Sequence, residues 1–267
     1  MIKLENCEVV GWEHAIRGMR NPKNSWARSD SDYHARRDLR YCDNDIYCFY
    51  DEDGVPHVYD GLEIGPNDHK LMMQLASGGP VHAKYRRMIT VYVDITAPLY
   101  WWKEFDTYKV GTVANSCSTM HKLADKEFTL DDFSHEDLLD DDSLLMDNFE
   151  SMYYEDLEKG VKMELCGTYF NSPLADLKYT VDKLNICRRL YLDKSIKGDR
   201  NIYFKQMIQL LPSSYNQKRT IMLNYEVLVG IYKWRKDHKL SEWREFCKWI
   251  ESLPYSEIIT GAVEEAE

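Results

Sequence analysis

The central stretch of the chain, residues 100–122, reads Y-W-W-K-E-F-D-T-Y-K-V-G-T-V-A-N-S-C-S-T-M-H-K. Its first half is rich in aromatic residues and predicts a helix packed on a core, with Pro98 suited to the first turn. Its second half has small and hydroxyl-bearing residues typical of a loop, and it ends in His121 and Lys122. Together with a later stretch, residues 211–249, it contains most of the candidate functional residues.

The composition is that of an ordinary globular protein. The chain has 267 residues, of which 44% are hydrophobic and 30% charged, so it is long enough to bury a substantial core. No apolar run approaches a membrane span, and the N-terminal sequence lacks the order of a signal peptide. Seven cysteines without regular spacing argue against a disulfide framework. We therefore expect a cytoplasmic protein that does not associate with membranes.

The charge balance is acidic, with 45 Asp and Glu against 34 Lys and Arg. This argues against broad nucleic-acid binding, which relies on a positive surface. Several basic residues occur in adjacent pairs: Arg86-Arg87, Arg188-Arg189 and Lys218-Arg219. Positive pockets on an acidic body suit a small anionic ligand. Each pair taken alone is also typical of a solvated surface.

The N-terminal half predicts strands and helices in alternation. Residues 2–10 read as a strand and residues 12–20 as a short helix. Residues 46–59 predict a hairpin with an Asp-Gly turn, and Pro56 would place its second strand at a sheet edge. A helix is expected to begin at Pro66 and to end at Gly78-Gly79.

Residues 88–95 form the clearest predicted strand. Alternate positions are apolar and should share one face: Ile89, Val91, Val93 and Ile95. Residues 125–156 are strongly acidic and read as a solvated surface segment.

The C-terminal half predicts mainly helices, at residues 172–191, 202–211, 219–236 and 241–253. In the last one, Ser241 is the expected N-cap. Its predicted apolar face comprises Trp243, Phe246, Cys247 and Ile250. We expect one α+β domain over residues 1–267, with an antiparallel or mixed sheet packed with helices and a hairpin insertion at about 30–60.

The reactive residue types form no strong site pattern. Cys42, Cys48, His57 and His69 do not have the spacing of a zinc site, so we expect no metal site. Cys117 is interpreted as a small packed cysteine. The chain has no glycine-rich phosphate loop, which removes the basis for a Rossmann or P-loop assignment.

In the helix predicted at 219–236, Asn224, Leu228, Ile231 and Arg235 recur at helical spacing. An amide and a guanidinium on an otherwise apolar stripe are costly to bury without partners. They either pair with protein groups or line a pocket for a planar, anionic ligand. The spacing alone leaves both alternatives open.

Several motifs lie in a fixed order along the chain. The helix ending at Ser77-Gly78-Gly79 is followed by the strand M-I-T-V-Y-V-D-I and an Ala-Pro entry into the aromatic helix. An Asn-x-x-Ser spacing follows at Asn115 and Ser118. The C-terminal motifs are Leu211-Pro212, Lys218, Asn224, Arg235 and Glu242-Trp243. This order resembles that of the flavin-dependent thymidylate synthases (the thymidylate synthase complementing protein family), most closely between Leu-Pro and Arg235.

The chain also departs from that family. Tyr108-Lys109-Val110 stands where the family has Arg-His-Arg, and Met120 stands where it has a closing arginine. The stretch near residues 30–60 and the acidic segment have no clear counterpart. The cations available to compensate for the missing arginines are Lys109, His121, Lys122 and Arg219.

The resemblance implies a homotetramer with active sites shared between subunits. In the family, reduced flavin passes a one-carbon unit from methylene-tetrahydrofolate to C5 of dUMP and then supplies a hydride, with NADPH as reductant. Arginines hold the phosphate and the pyrimidine, so no cysteine nucleophile is required.

Carried onto this chain, the resemblance makes Arg235 the catalytic residue, in contact with the nucleotide. The implied substrate-binding residues are Lys218, Arg219, Arg235, Ser118, His121 and Lys122. The implied FAD-binding residues are Asn115, Asn224, Lys109 and Arg87.

Two other functions stay open at this point. One is a non-catalytic homologue that binds a nucleotide or a protein partner. The other is an unrelated interaction protein whose working surface is the acidic segment.

Overall fold

The computed structural model describes residues 2–33, 48–50, 56–59, 62–140 and 172–264. The strands are β1 (Lys3–Val10), β2 (Asp32–Tyr33), β3 (Cys48–Tyr50), β4 (Pro56–Tyr59), β5 (Leu62–Glu63), β6 (Thr90–Pro98), β7 (Val113–Ser116) and β8 (Asn216–Asn224). The helices are α1 (Trp12–Arg20), α2 (Pro66–Ser77), α3 (Leu99–Phe105), α4 (Thr119–Lys122), α5 (Pro173–Leu192), α6 (Asn201–Leu210), α7 (Tyr225–Arg235), α8 (Ser241–Glu251) and α9 (Glu257–Glu264). The architecture is α+β, as predicted.

The chain divides into two compact units. The first comprises Met1–Cys117 with Gln217–Glu267, and the second is Ser118–Asn216. The single domain expected from the sequence stays a prediction. None of the helices in the described residues is long and apolar enough to cross a membrane.

Six strands form one mixed sheet in the order β3-β4-β1-β6-β8-β7. β1 pairs in parallel with β4 and antiparallel with β6. The pairs β3/β4 and β7/β8 are antiparallel, and β2 forms a separate antiparallel pair with β5. Of the antiparallel or mixed sheet predicted from the sequence, the structure has the mixed form.

The predicted hairpin is confirmed by the antiparallel pairing of β3 with β4, while its Asp-Gly turn lies outside the described residues. The prediction that Pro56 marks a sheet edge is wrong, because β4 lies between β3 and β1. Pro56 is the first residue of β4, and the register with β1 involves only Val58 and Tyr59. A proline at the first position of a strand needs no ladder donor, which explains why it is tolerated there.

The central strand has the predicted faces but different ends. β6 begins at Thr90 rather than at residue 88 and continues to Pro98. Pro98 therefore closes the strand and precedes α3, which begins at Leu99. The predicted apolar face is confirmed, since Ile89, Val91, Val93 and Ile95 are all buried.

The helix predicted at 219–236 is wrong in its first part, because residues 216–224 form β8. In β8 only alternate residues, Ile221 and Leu223, are fully buried, which is the two-residue period of a strand. Asn224 then caps α7, since its Oδ1 accepts a hydrogen bond from the Val227 amide at 3.1 Å. Asn224 is therefore the N-cap of α7 and Arg235 its last residue.

The remaining helices are close to the predictions. Ser172 caps α5 through the Ala175 amide, as its sequence indicates. α8 has the predicted buried face of Trp243, Phe246, Cys247 and Ile250. The N-cap of α8 is Leu240, however, and Ser241 is its first helical residue.

The core of the first unit lies on one face of the six-stranded sheet. It combines the apolar face of β6 with buried residues of the helices, among them Trp12, Trp101, Leu228 and Trp243. The second unit has its own smaller core, formed by Leu123, Ala124, Phe128, Phe133, Leu177, Val181, Leu184 and Met207. Each unit thus buries apolar surface independently.

A buried ion pair fixes the start of α2 in the first unit. Asp68 is fully buried and accepts a hydrogen bond from Arg20 Nε at 2.6 Å. Its second oxygen accepts hydrogen bonds from the hydroxyls of Ser29 and Ser31 at 2.6 and 2.7 Å. Burial raises the pKa of Asp68, but the hydrogen bonds from Ser29, Ser31 and Arg20 outweigh it, so the pKa lies below its usual value.

We predict that Asp68→Asn destabilises the protein by about 3–5 kcal/mol, because it leaves the buried Arg20 unpaired. The measurement is urea unfolding beside Glu13→Gln, an exposed control expected to change stability by about 0.5 kcal/mol or less. Because its pKa is lowered by folding, Asp68 stabilises the folded state fully at a pH above 3.8, the ordinary pKa of the side chain. The gap between wild type and Asp68→Asn should therefore narrow as the pH falls below that value. Equal unfolding midpoints for the two variants would contradict this account.

Candidate functional site

Glu104, in α3, is a shared hydrogen-bond acceptor for two other elements. Its Oε2 accepts from Arg235 Nη1 at 2.7 Å and from Trp243 Nε1 at 3.0 Å. His238 Nε2 lies 3.6 Å from the same oxygen. His238 Nδ1 accepts from the Leu240 amide, so a neutral ring carries its proton on Nε2, facing Glu104.

Arg235, at the end of α7, is held between aromatic rings. Its guanidinium lies 4.6 Å from the Trp243 ring centre and 5.8 Å from that of Tyr108, and its Nε donates to the Tyr108 hydroxyl at 3.0 Å. The side chain of Arg235 is 18% exposed and that of Glu104 35%. Within the described residues, Arg235 Nη2 and Glu104 Oε1 take part in no hydrogen bond. The pair therefore keeps one donor group and one acceptor atom for a ligand.

Arg219, in β8, has a similar arrangement on the core side of the sheet. Its guanidinium lies 4.2 Å from the Trp102 ring centre, and its Nη1 donates to Asp106 at 2.8 Å. Its Nε donates to Gln217 at 3.0 Å. The Asp106 side chain is 52% exposed, so this ion pair opens to solvent on one side.

Lys218 points to the opposite face of the sheet, because successive residues of a strand alternate. Its Nζ lies 3.1 Å from Glu5 Oε2 and 3.3 Å from Asp94 Oδ2. The hydrogen bond to Glu5 is the main cause that raises the pKa of Lys218. The pKa of Asp94 is lowered, chiefly by a hydrogen bond from the Thr220 hydroxyl at 2.6 Å. Lys218, a predicted substrate-binding residue, is thus part of an ion-pair network.

Asn224 lies against Gly111, in the loop that leads to β7. Gly111 has a φ of +77°, and a Cβ on it would lie 2.8 Å from Asn224 Nδ2. That Nδ2 donates no hydrogen bond within the described part of the chain, while the Oδ1 caps α7. Asn115 is exposed on β7 and pairs with Thr220 across the sheet. The predicted packed cysteine, Cys117, is instead exposed, because it follows the end of an edge strand.

Lys109 and Arg87 are exposed, and neither has an ion-pair partner in the portion of the chain that the structure describes. Arg86 differs from its neighbour, since it is buried and bonds to Glu226 at 2.8 Å and to the Ile258 carbonyl at 3.1 Å. The sequence pair Arg86-Arg87 therefore combines an internal structural cation with a free surface cation.

Three predicted substrate-binding residues belong to the second unit. Ser118 precedes α4, and its carbonyl accepts a hydrogen bond from the Lys122 amide at 3.1 Å. Lys122 is exposed and pairs with Asp125 at 2.7 Å, and the hydrogen bond to Asp125 raises its pKa. His121 lies within α4, and its side chain is outside what the structure describes.

The structure brings together partners that the sequence did not indicate. Arg235, Arg219 and Lys218 each bond to a carboxylate from a distant part of the chain. The partner residues that sequence reasoning missed are Glu5, Asp94, Glu104 and Asp106, with Trp102, Tyr108 and Trp243 as ring contacts. The aromatic content of residues 100–108 was the one available signal for these ring contacts.

Comparisons with known proteins find likeness in structure alone. No protein-family model and no curated protein sequence matches the chain. The fold is similar to that of thymidylate synthase X (ThyX). A structure of ThyX from Helicobacter pylori with FAD and dUMP matches 99% of this chain and 100% of that chain, with 14% identity and a TM-score of 0.56. A flavin-dependent ThyX from the same organism, complexed with FAD and dUMP, matches 98% and 99%, with 14% identity and a TM-score of 0.54.

The residues expected to bind FAD have a donor chemistry that fits such a group. Lys109 and Arg87 offer free positive charge, and Asn224 Nδ2 donates no hydrogen bond among the described residues. Phosphate and carbonyl oxygens are the acceptors that these groups suit. Within the described ranges, no group of three His, Cys, Asp or Glu side chains could hold a metal ion.

We predict that Gly111→Ala destabilises the protein more than Gly79→Ala does. Both glycines have a positive φ, so each alanine adds strain of about 1–2 kcal/mol. Only at position 111 does the new Cβ also collide with a neighbour, whereas no atom lies within 4 Å at position 79. Thermal unfolding of the two variants measures the difference, and equal losses would contradict the close approach of Asn224.

Proposed function

We propose that the chain is a flavin-dependent, thymidylate-synthase-like enzyme that acts on dUMP or a related pyrimidine nucleotide. The observation that carries the proposal is the similarity of fold, along 99% of the chain, to a ThyX structure with FAD and dUMP. In the proposed reaction, a one-carbon unit from methylene-tetrahydrofolate replaces the hydrogen at C5, with NADPH as the reductant. The proposed assembly is a homotetramer.

The Arg235 guanidinium is the proposed contact for the pyrimidine. Its free Nη2 can donate to a ring carbonyl and withdraw electron density from the ring. The rings of Trp243 and Tyr108 limit its rotation, so the donor is oriented before the ligand binds. This arrangement needs no cysteine nucleophile.

The phosphate is proposed to bind at Arg219, while Lys218, on the opposite face of the sheet, stays a predicted substrate-binding residue. A phosphate there competes with Asp106, whose side chain is 52% exposed, so solvent weakens its hold on Arg219. The pair of Lys218 with Glu5 is exposed at both residues, so an anion on that face of the sheet can replace Glu5. The stacking on Trp102 keeps Arg219 in place when Asp106 leaves.

FAD is proposed to be held by Asn224, Asn115, Lys109 and Arg87. When bound, flavin supplies the redox chemistry that turns the transferred carbon into a methyl group. Lys109 and Arg87 would neutralise its phosphates, and Asn224 Nδ2 would donate to one of its oxygens. Ser118, His121 and Lys122 remain predicted substrate contacts.

We predict that the protein with FAD, NADPH and methylene-tetrahydrofolate releases tritium from dUMP labelled at C5. Arg235→Lys should lower kcat/KM by about tenfold or more, because lysine lacks the planar donor fork while it keeps a charge beside Glu104. The control is Arg17→Lys, on the exposed surface of α1, which should leave the rate unchanged. Tritium release that is equal in both variants would contradict the role of Arg235.

We also predict that Asp106→Asn tightens dUMP binding by about two- to fivefold, since the phosphate no longer competes with a carboxylate. Isothermal titration measures the affinity. Asp237→Asn removes the same charge from an exposed position in the same unit and should have a smaller effect. Weaker dUMP binding by Asp106→Asn would place the phosphate elsewhere.

A non-catalytic homologue is the second candidate. It is favoured by the replacement of the Arg-His-Arg motif by Tyr108-Lys109-Val110 and by the carboxylates that already pair with Lys218, Arg219 and Arg235. Binding of dUMP without FAD uptake or tritium release would support this candidate over the enzyme.

A further inference from the structure

The ion pair between Glu104 and Arg235 differs from the other pairs of the candidate site. Glu104 Oε2 accepts two hydrogen bonds and faces His238 as well, and both side chains are less exposed than those of Lys218 and Glu5. Hydrogen bonds to a charged group are worth about 1.5–3 kcal/mol each, so a phosphate does not readily displace Glu104. The carboxylate therefore stays in the site when a ligand binds.

The retained pair keeps two complementary groups beyond the atoms that join it, on side chains that are hydrogen-bonded to each other at 2.7 Å. Arg235 Nη2 is a donor, and Glu104 Oε1 is an acceptor that receives no hydrogen bond from any described residue. A uracil ring has the matching edge, since a carbonyl oxygen adjoins the N3–H donor. Cytosine has a bare nitrogen at position 3, and its lone pair would face the carboxylate.

We infer that Glu104 is a specificity-determining residue that accepts the N3–H of the pyrimidine and selects uracil over cytosine. The inference rests on the proposed function, in which a pyrimidine nucleotide binds at Arg235. Cytosine can form two hydrogen bonds with Glu104 and Arg235 only in a shifted position. Its amino group then donates to Glu104, and its N3 accepts from Arg235. That shift moves C5 away from the position that uracil gives it.

The rejection of cytosine has a clear physical basis. A bound base that offers no donor to a half-buried carboxylate loses more binding free energy than one missing contact would cost. The carboxylate has been separated from water and is left without a hydrogen bond. The Trp243 and Tyr108 rings restrain Arg235, and the two hydrogen bonds to Oε2 restrain Glu104, so neither group turns easily to relieve the mismatch.

The first test compares three ligands on the unaltered full-length protein with FAD present. Isothermal titration gives the affinities for dUMP, dCMP and 3-methyl-dUMP, in which a methyl group replaces the N3 hydrogen. We expect dUMP to bind about tenfold or more tightly than either of the others. Equal affinities for dUMP and 3-methyl-dUMP overturn the inference while the proposed nucleotide site stands.

The second test changes the acceptor with the variant Glu104→Gln. The glutamine carbonyl can keep the hydrogen bonds from Arg235 and Trp243, so its amino group takes the place of Oε1. The ratio of dUMP to dCMP affinity should then fall by about tenfold or more, since a donor now meets the N3–H of uracil. General structural damage would weaken the binding of both nucleotides and would not selectively lower this ratio.

The matched control is Glu245→Gln, on the exposed side of α8, which should keep the wild-type ratio. An unchanged ratio in a folded Glu104→Gln protein overturns the inference. If that variant fails to fold, the 3-methyl-dUMP comparison on the wild type decides. A protein that binds none of the three nucleotides refutes the proposed function and this inference together.

Discussion

The packing of Trp101, a residue of α3, against Trp243 of α8 is the interaction on which the position of the candidate site depends. The Trp101 ring is fully buried, with its centre 4.6 Å from that of Trp243 and 5.0 Å from that of Phe105. α3 has only seven residues, too few to be stable alone, so these ring contacts hold it in place. Glu104 and Asp106 take their positions from this helix, and each meets an arginine that comes from the C-terminal part of the chain.

The carboxylates beside these arginines change the chemistry that the sequence alone suggests. A bare arginine favours any anion, whereas an arginine that shares its charge with a carboxylate favours ligands with both acceptor and donor atoms. The pairs of Arg219 and Lys218 lie on opposite faces of the sheet, and each has an exposed carboxylate with which an anion can compete. The better protected pair of Arg235 and Glu104 is suited to a pyrimidine edge. The acidic residues that argue against nucleic-acid binding therefore also pair with the individual cations of the candidate site.

The sequence predicted the elements with a strong local pattern. The apolar face of β6, the capped start of α5 and the buried face of α8 all follow from period and capping, which depend only on near neighbours. The prediction for residues 219–224 is wrong because the apolar spacing that follows Asn224 is helical. A helix predicted from that spacing includes the end of β8. The alternation at Ile221 and Leu223 and the capping preference of asparagine were the signals for the true boundary.

The partners of the site residues could not be predicted in this way. Glu104 and Arg235 are 131 positions apart, and Lys218 and Glu5 are 213 apart, so no periodicity connects them. The order of motifs along the chain indicated the candidate cations, whereas their surroundings follow from the tertiary packing of α3 and β8. The spacing left open whether Asn224 and Arg235 bond to protein groups or line a ligand pocket. Both residues form hydrogen bonds within the protein, and each also has a donor that no described residue accepts.

The visible absorption spectrum of the purified protein, recorded before and after addition of FAD, tests the central claim most directly. The account predicts flavin bands that stay with the protein through gel filtration, because Asn224, Lys109 and Arg87 keep donors for the cofactor. A colourless protein that does not take up FAD would contradict a flavin-dependent enzyme.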